Sequence, residues 1–371
     1  MYIEEIKLNN FRNYEKQEIK LNKGINLFYG NNAQGKTNII ESIFLCSMGK
    51  SFRARKDKEL INFNKENQKN TSIEINYSKK DRDGKIRYII GDNKNILINN
   101  VQIKKMSEIL GNINIVLFSP EDINIIKDGP SNRRKFLNMM ISQLRPNYIY
   151  SYNLYLKTLE QKNNYLKNIN IENKNDDLLD IYDEKLAEYG VIINKYRDEF
   201  INKVKEKIKE IHKKVTKEKE DIKIKYISDC FNKEDFLVKL KENRKQDIVK
   251  GHTSVGIQRD DIYFFINSKK IDIYGSQGQQ RTSILSLKLA ELEIIKEEIG
   301  ENPILLLDDF MSELDSERRL TFLKNIKDTQ IIITCTDDIN IENININKFK
   351  VEDGKVIQEN IWNKDLIFIK F

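Results

Sequence analysis

The stretch Gly30-Asn-Asn-Ala-Gln-Gly-Lys-Thr37 decides how the rest of the chain is read. It fits the phosphate-binding pattern of a glycine, four free positions, then glycine, lysine and serine or threonine. Gly30 and Gly35 let the backbone curl until successive N–H groups point at one anion, and Lys36 adds a point charge for β and γ phosphates. Asn31, Asn32, Ala33 and Gln34 lie inside the curl and Asn38 closes it, so residues 30–38 form the expected ATP cradle. Thr37 offers its hydroxyl to Mg²⁺. The context agrees: Gly24–Tyr29 is a short apolar run before the loop, and Asn38–Cys46 has helical spacing after it.

Far along the chain, Pro303-Ile-Leu-Leu-Leu-Asp-Asp309 reads as a buried strand that ends in two carboxylates. Adjacent acids at a strand end are costly without a cation, and Mg²⁺ on a nucleotide is the natural one. Asp308 is expected to hold the metal through water, and Asp309 to orient or deprotonate the attacking water. Ser312-Glu-Leu-Asp315 follows directly. Before that strand, Gly275-Ser-Gln-Gly-Gln-Gln-Arg281 reads as a loop opening a helix over Thr282–Glu298, with the Ser276 hydroxyl and loop N–H groups available to a phosphate.

The remaining segments fall into two kinds. Tyr2–Leu8, Gln17–Leu21, Ser72–Tyr77, Lys85–Ile90 and Asn95–Asn99 alternate as strands, with Asp83-Gly84 and Gly91-Asp92 as hairpin turns. Ile113–Phe118 is one more apolar run, ended by Ser119-Pro120. From about Arg133 the period becomes helical, broken or kinked at Pro146. After a polar turn at Asn168–Asp177, a second series from Tyr182 to Val215 predicts roughly 50 Å of helix. The two series should pack as an antiparallel hairpin. A mixed stretch with Ile222–Tyr226 and a short helix near Lys233–Asn243 precede a hairpin over Tyr263–Ile273. Ile331–Asp337 reads as a buried strand, and Asp353-Gly354 turns a last hairpin.

A chain of 371 residues exceeds what one core usually holds, so two lobes are expected. No stretch approaches the ~20 apolar residues of a membrane span and no leader pattern is visible, which leads us to expect a soluble cytoplasmic protein. Cys46, Cys230 and Cys335 are widely spaced, with only His212 and His252 beside them in the composition, so buried thiols and no structural zinc are expected. The net charge of +7 fits a polyanion partner but also a Lys-, Ile- and Asn-rich composition, so only clustered bases are informative. Arg53, Arg55, Lys56 and Lys58 form such a cluster on a loop past the first helix. Arg133, Arg134 and Lys135 form another, and both are candidates for DNA phosphates. For Arg133 and Arg134 the alternative is pairing within the protein.

Taken together, the chain resembles the ABC-type ATPases of the SMC and Rad50 group, and most closely the RecF family of bacterial recombination mediators. The resemblance runs nearly end to end, through Asn10–Asn13, Gly30–Asn38, Lys50–Arg53, Phe118–Asp122, Gly129–Arg134, Gln258–Asp261, Gly275–Arg281 and Leu305–Asp315. It implies an α/β, ABC-type ATPase head with mixed sheets around the phosphate-loop helix, and a second, mainly helical lobe carrying a short antiparallel helix hairpin. Residues 1–122 and 282–371 would form the ATP-binding lobe, and 123–281 the helical lobe with the signature loop. Arg12 joins the implied ATP contacts, and Ser276, Gln277, Gly278 and Gln279 would complete the ATP site of a second copy, giving an ATP-dependent homodimer. The resemblance also implies binding to gapped DNA at single-strand/double-strand junctions, with RecR and RecO as partners in loading a recombinase.

Three positions depart from the wider group. Ser119 stands where a metal-contacting glutamine is expected, Thr336-Asp337 where a switch histidine is expected, and Gln258 replaces a histidine before Arg-Asp-Asp. Asp309, one methylene shorter than the usual glutamate, implies slow hydrolysis used as a switch. The competing expectations are an ATPase coupled to another DNA-processing enzyme such as a nuclease, a small-molecule kinase, and a long-armed SMC or Rad50 protein. No second acidic metal cluster supports a nuclease, a kinase has no use for Gly275–Arg281, and the helical insertion is too short for a long arm.

Overall fold

The computed structural model describes residues 1–62, 70–169, 176–309, 322, 326, 328–338 and 345–359. Its contacts separate two units, Met1–Pro120 with Glu301–Phe371, and Glu121–Gly300. The architecture is the expected α/β head with a mainly helical second unit.

In the first unit, β1 (Tyr2–Phe11), β2 (Tyr14–Lys20), β4 (Thr71–Ser78), β5 (Asp83–Ile90), β6 (Asn95–Ile98) and β7 (Val101–Gln102) form an antiparallel sheet in the order β2-β1-β4-β5-β6-β7. The alternation in β4 is strict: Thr71, Ile73, Ile75 and Tyr77 are buried and their neighbours are not. That pattern suits a sheet with one covered face. The second sheet runs β15-β14-β3-β13-β12-β8, from β3 (Ile25–Tyr29), β8 (Ile115–Phe118), β12 (Ile304–Asp308), β13 (Ile331–Cys335), β14 (Ile346–Glu352) and β15 (Lys355–Gln358). All neighbours are parallel except β15, and the central strands are continuous apolar runs, as strands covered on both faces require. Helix α1 (Lys36–Met48) touches β12 and β13 of this sheet and β4 and β5 of the other. Contact on both sides explains why its residues Ile39–Met48 are all buried.

The second unit contains α2 (Asn124–Lys127), α3 (Pro130–Ser142), α4 (Pro146–Asn168), α5 (Asp176–Thr216), α6 (Lys233–Lys250), α7 (Ile271–Tyr274) and α8 (Gln277–Ile299). A three-stranded antiparallel sheet of β9 (Ile222–Ile227), β10 (Asp261–Ile266) and β11 (Lys269–Lys270) completes it, in the order β11-β10-β9. Pro146 is the first residue of α4, where its missing N–H costs nothing, so it breaks the helical series and does not kink it. Contacts of Tyr148 with Arg197, Lys162 with Asp183 and Tyr165 with Tyr182 run in opposite directions along α4 and α5. The two helices are therefore the antiparallel hairpin expected from their periodicity.

Several boundaries differ from the sequence reading. Asp83-Gly84 is not a turn but the start of β5, paired with Ser78 and Tyr77. A Cβ on Gly84 would lie 2.2 Å from the Tyr77 ring, so glycine serves close approach there. The hairpin over Tyr263–Ile273 is cut short, because Ile271–Tyr274 coil into α7. Residues 277–281 are the first turn of α8 and not a loop before it, since Ser276 caps the helix. That helix packs on α5, so the contact boundary falls at Gly300 where the sequence reading put it at 282. All three cysteines are buried.

Candidate nucleotide site and basic loops

The phosphate loop has the backbone its glycines predict. Gly30 and Gly35 take φ of 146° and 111°, and Ala33 accepts a left-handed 64°. A Cβ on Gly30 would meet the Val351 carbonyl at 2.3 Å and one on Gly35 would meet the Asn13 amide at 2.5 Å. Neighbouring segments hold the loop from outside. Asn13 Nδ2 donates to the Gln34 carbonyl at 2.8 Å, Tyr14 OH donates to the Gly35 carbonyl at 3.0 Å, and Asn38 Nδ2 donates to Asn13 Oδ1 at 2.8 Å. The Asp353 N–H donates to Gln34 Oε1 at 2.6 Å, tying in the last hairpin. Asn31, Asn32 and Ala33 are exposed at the tip of the loop.

Lys36 is 4% exposed, and its Nζ donates to the carbonyls of Gly30 at 2.6 Å and Asn31 at 2.8 Å. No carboxylate among the described residues forms an ion pair with it. A buried ammonium with only carbonyl acceptors fits an anion, as the motif requires. Beside it, Thr37 Oγ1 donates to Asp308 Oδ1 at 2.9 Å, and Thr334 Oγ1 donates to the same oxygen at 2.8 Å. Burial raises the Asp308 pKa, against the pull of the two hydroxyls. A buried carboxylate and a hydroxyl in contact, with no ion-paired cation among the described residues, fit a hard divalent ion. Thr37 and Asp308 would hold Mg²⁺, which would neutralise charge on the phosphates when bound. Asp309 stands just past the strand at φ 48°, with its N–H on Thr334 Oγ1 at 3.0 Å. The left-handed turn takes Asp309 off the strand path. Ser312–Asp315 lie outside the described residues.

Arg12 is placed differently from its neighbours. Its Nε and Nη2 donate to both oxygens of Glu41 at 2.8 and 2.7 Å, and Nη1 donates to the Glu59 carbonyl at 2.8 Å. The guanidinium thus clamps the buried Glu41 of α1, and it is Asn13, one residue on, that reaches the phosphate loop. Sequence reasoning missed Asn13, Tyr14 and Thr334. Thr334 alone left a signal, as a lone hydroxyl in the run Ile331-Ile-Ile-Thr-Cys335. The basic loop follows α1 directly, and Arg53, Arg55, Lys56 and Lys58 are all exposed. Arg53 turns back toward the cradle, with Nη1 on Asn38 Oδ1 at 3.4 Å.

In the second unit the signature residues form a capping box. The Gln279 N–H donates to Ser276 Oγ at 3.2 Å, and the Ser276 N–H donates to Gln279 Oε1 at 2.9 Å. Ser276, Gln277 and Gly278 are exposed. The expectation that Arg133 contacts DNA is corrected. Its side chain is buried, its Nε and Nη2 donate to Asp261 at 2.6 and 3.1 Å, and its Nη1 donates to the Asp128 carbonyl at 2.7 Å. Pairing within the protein wins because a buried guanidinium must satisfy its donors locally. Arg134 is partly exposed and donates through Nη1 to the Asp260 carbonyl at 2.9 Å. Gln258, in the place of the expected histidine, accepts from Tyr155 OH at 2.6 Å.

Comparison with known proteins agrees with this geometry. A family model described as an AAA domain matches residues 5–230. A protein of Clostridium acetobutylicum named DNA replication and repair protein RecF is 44% identical over 367 residues, covering 96% of this chain and all of the relative. The Clostridium botulinum protein of the same name is 48% identical over 342 residues, covering 91% of this chain and 93% of the relative. The solved structure of the recombination mediator protein RecF-ATP in the RecFOR pathway superposes with a TM-score of 0.90 at 40% identity, covering 96% of this chain and 97% of that one. An Smc head bound to the C-winged helix domain of ScpA shares the fold, with a TM-score of 0.58 at 19% identity. With relatives this similar along nearly its whole length, the chain belongs to the RecF family.

Proposed function

We propose that the protein is an ATP-dependent DNA-binding clamp of recombinational repair and replication restart in the cytoplasm. ATP and Mg²⁺ occupy the cradle of Gly30–Asn38 with Thr37 and Asp308, and Asp309 serves a slow hydrolysis that resets a switch. Two copies close when Ser276–Gln279 of each completes the ATP site of the other. The closed dimer recognises gapped or junction DNA and, with RecR and RecO, helps load recombinase on single-stranded DNA. One observation carries the coupling: the loop that exposes Arg53, Arg55, Lys56 and Lys58 leaves the end of α1, and Arg53 reaches back to Asn38 at the start of the same helix. Filling the cradle therefore acts on the basic loop through one short helix.

Fluorescence anisotropy on a gapped duplex, with and without ATP at two salt concentrations, tests the reading. Affinity should rise with ATP and fall steeply with salt, since phosphate contacts release counterions. By linkage, DNA should raise ATP affinity by the same factor. Light scattering should show that Ser276→Arg leaves ATP binding near normal but the protein monomeric, and that Asp309→Asn retains the dimer. Affinity indifferent to both ATP and salt would sink the clamp and favour an ATPase coupled to another DNA-processing enzyme.

A further inference from the structure

Within Gly256-Ile-Gln-Arg-Asp-Asp261, five of six residues are fixed by the interior of the helical unit. Gly256 takes φ 120°, and a Cβ there would lie 2.2 Å from Tyr155 OH, so no other residue fits. Ile257 is fully buried. Gln258 accepts from Tyr155 OH and donates through Nε2 to the Val255 carbonyl at 2.7 Å. Asp260 Oδ2 accepts from Arg197 Nη1 and from Tyr226 OH, both at 2.6 Å, and Asp261 takes the Arg133 guanidinium on both oxygens. Arg259 alone is exposed, and its side chain has no hydrogen bond, ion pair or ring contact among the described residues. A buried ionic framework of this cost is more than a surface turn needs. Its effect is to hold the backbone of one outward arginine in a single position.

The charge around that position is unbalanced. Arg134 donates to the carbonyl of Asp260, the residue after Arg259, so the two guanidinium-bearing segments lie side by side. Burial, and next the nearby Arg197, lower the Arg134 pKa, against the pull of Asp261 and Asp260. Among the described residues the carboxylates of Asp260 and Asp261 pair with Arg197 and Arg133, and not with Arg134 or Arg259. Lys135, the next residue on α3, is exposed as well. Cations on separate segments, one rigidly based and one half-held, suit successive phosphates of a backbone better than a lone carboxylate.

We propose that Arg259, with Arg134 beside it, is a DNA-phosphate contact in the helical unit, separate from the basic loop after α1. This rests on the reading of the protein as DNA-binding. The contact positions the duplex and reads no sequence.

The test is anisotropy on the gapped duplex with the full chain and ATP, comparing the parent with Arg259→Ala and Arg259→Lys across a salt series. Losing one phosphate contact should weaken binding about eightfold at 0.1 M salt and reduce the log–log salt slope by about one, alike for unrelated sequences. Arg259→Lys keeps the charge and should keep the slope. If Arg259→Ala binds with the parent's affinity and slope while the parent binds normally, this inference fails and the DNA reading stands. If the parent itself ignores DNA, both fail. Light scattering on the same variant separates a third outcome: weaker ATP-driven dimerisation without DNA would assign Arg259 to a contact between copies and overturn the proposal.

Discussion

Buried charges occur in both units, and those at the phosphate loop are treated differently from most of the others. In the helical unit Lys162 and Asp183 meet at 2.6 Å with both side chains fully buried, Arg197 meets Asp260 at 2.6 Å, and Lys288 meets Glu291 at 2.5 Å. Asp247, buried and without an ion pair among the described residues, is caught by the N–H and hydroxyl of Ser254. In the first unit Glu41 is paired in the same manner by Arg12. Lys36 and Asp308 are not: they are 4% and 6% exposed, joined through Thr37, and their hydrogen bonds among the described residues go to neutral groups. An ion held in the interior by its opposite is architecture. Two groups of opposite sign, brought together at the phosphate loop and the end of β12 without pairing to another charge among the described residues, fit a ligand that brings the missing charges.

The contrast can be broken first in the helical unit. Arg197→Ala should destabilise the protein by about 3–5 kcal/mol in urea unfolding, because Asp260 would remain buried without its cation. A loss under ~1 kcal/mol would show that the pair is not structural. Next, Lys36→Ala should weaken ATP binding roughly a hundredfold or more by titration calorimetry while leaving the unfolding midpoint near the parent's. Large destabilisation with intact binding would reverse the assignment of the two regions. A double-mutant cycle sharpens the paired case: Lys288→Met and Glu291→Leu should each cost about 2–4 kcal/mol alone and less together than the sum.

The smallest effect concerns Asp308. Its folded pKa is raised by burial, so the ionised form costs stability at neutral pH, and that cost fades as pH falls through the folded pKa. Asp308→Asn should therefore raise the thermal midpoint of the nucleotide-free protein by a few degrees, roughly 1 kcal/mol, at pH 7. The gain should shrink toward pH 4, and Mg²⁺-dependent ATP binding should be lost. A variant less stable than its parent at pH 7 would mean that the carboxylate is satisfied in place.

How much of this was visible in the chain differs by segment. Gly30–Thr37 was legible because its chemistry is local: backbone curl, ammonium and hydroxyl all come from eight consecutive residues. The buried strands were legible as uninterrupted apolar runs, and the α4–α5 hairpin as two helical series around the polar turn Asn168–Asp177. Short-range punctuation was less secure. Asp83-Gly84 carries the signature of a turn, yet the glycine is there for the Tyr77 ring, a neighbour that sequence adjacency conceals.

The amino-acid sequence by itself determined the phosphate loop and the acidic strand end, since each is written in residues close together along the chain. Tertiary structure alone decided which charges are spent internally. Arg12 and Asn13 are adjacent, yet one clamps Glu41 while the other holds the phosphate loop. Arg133 and Arg134 are adjacent on α3, yet only the first is buried, against Asp261, 128 positions away. The reason is geometric: successive helical residues point about 100° apart, so one faces the core and the next does not, and the carboxylate awaiting it comes from a strand that only folding brings near.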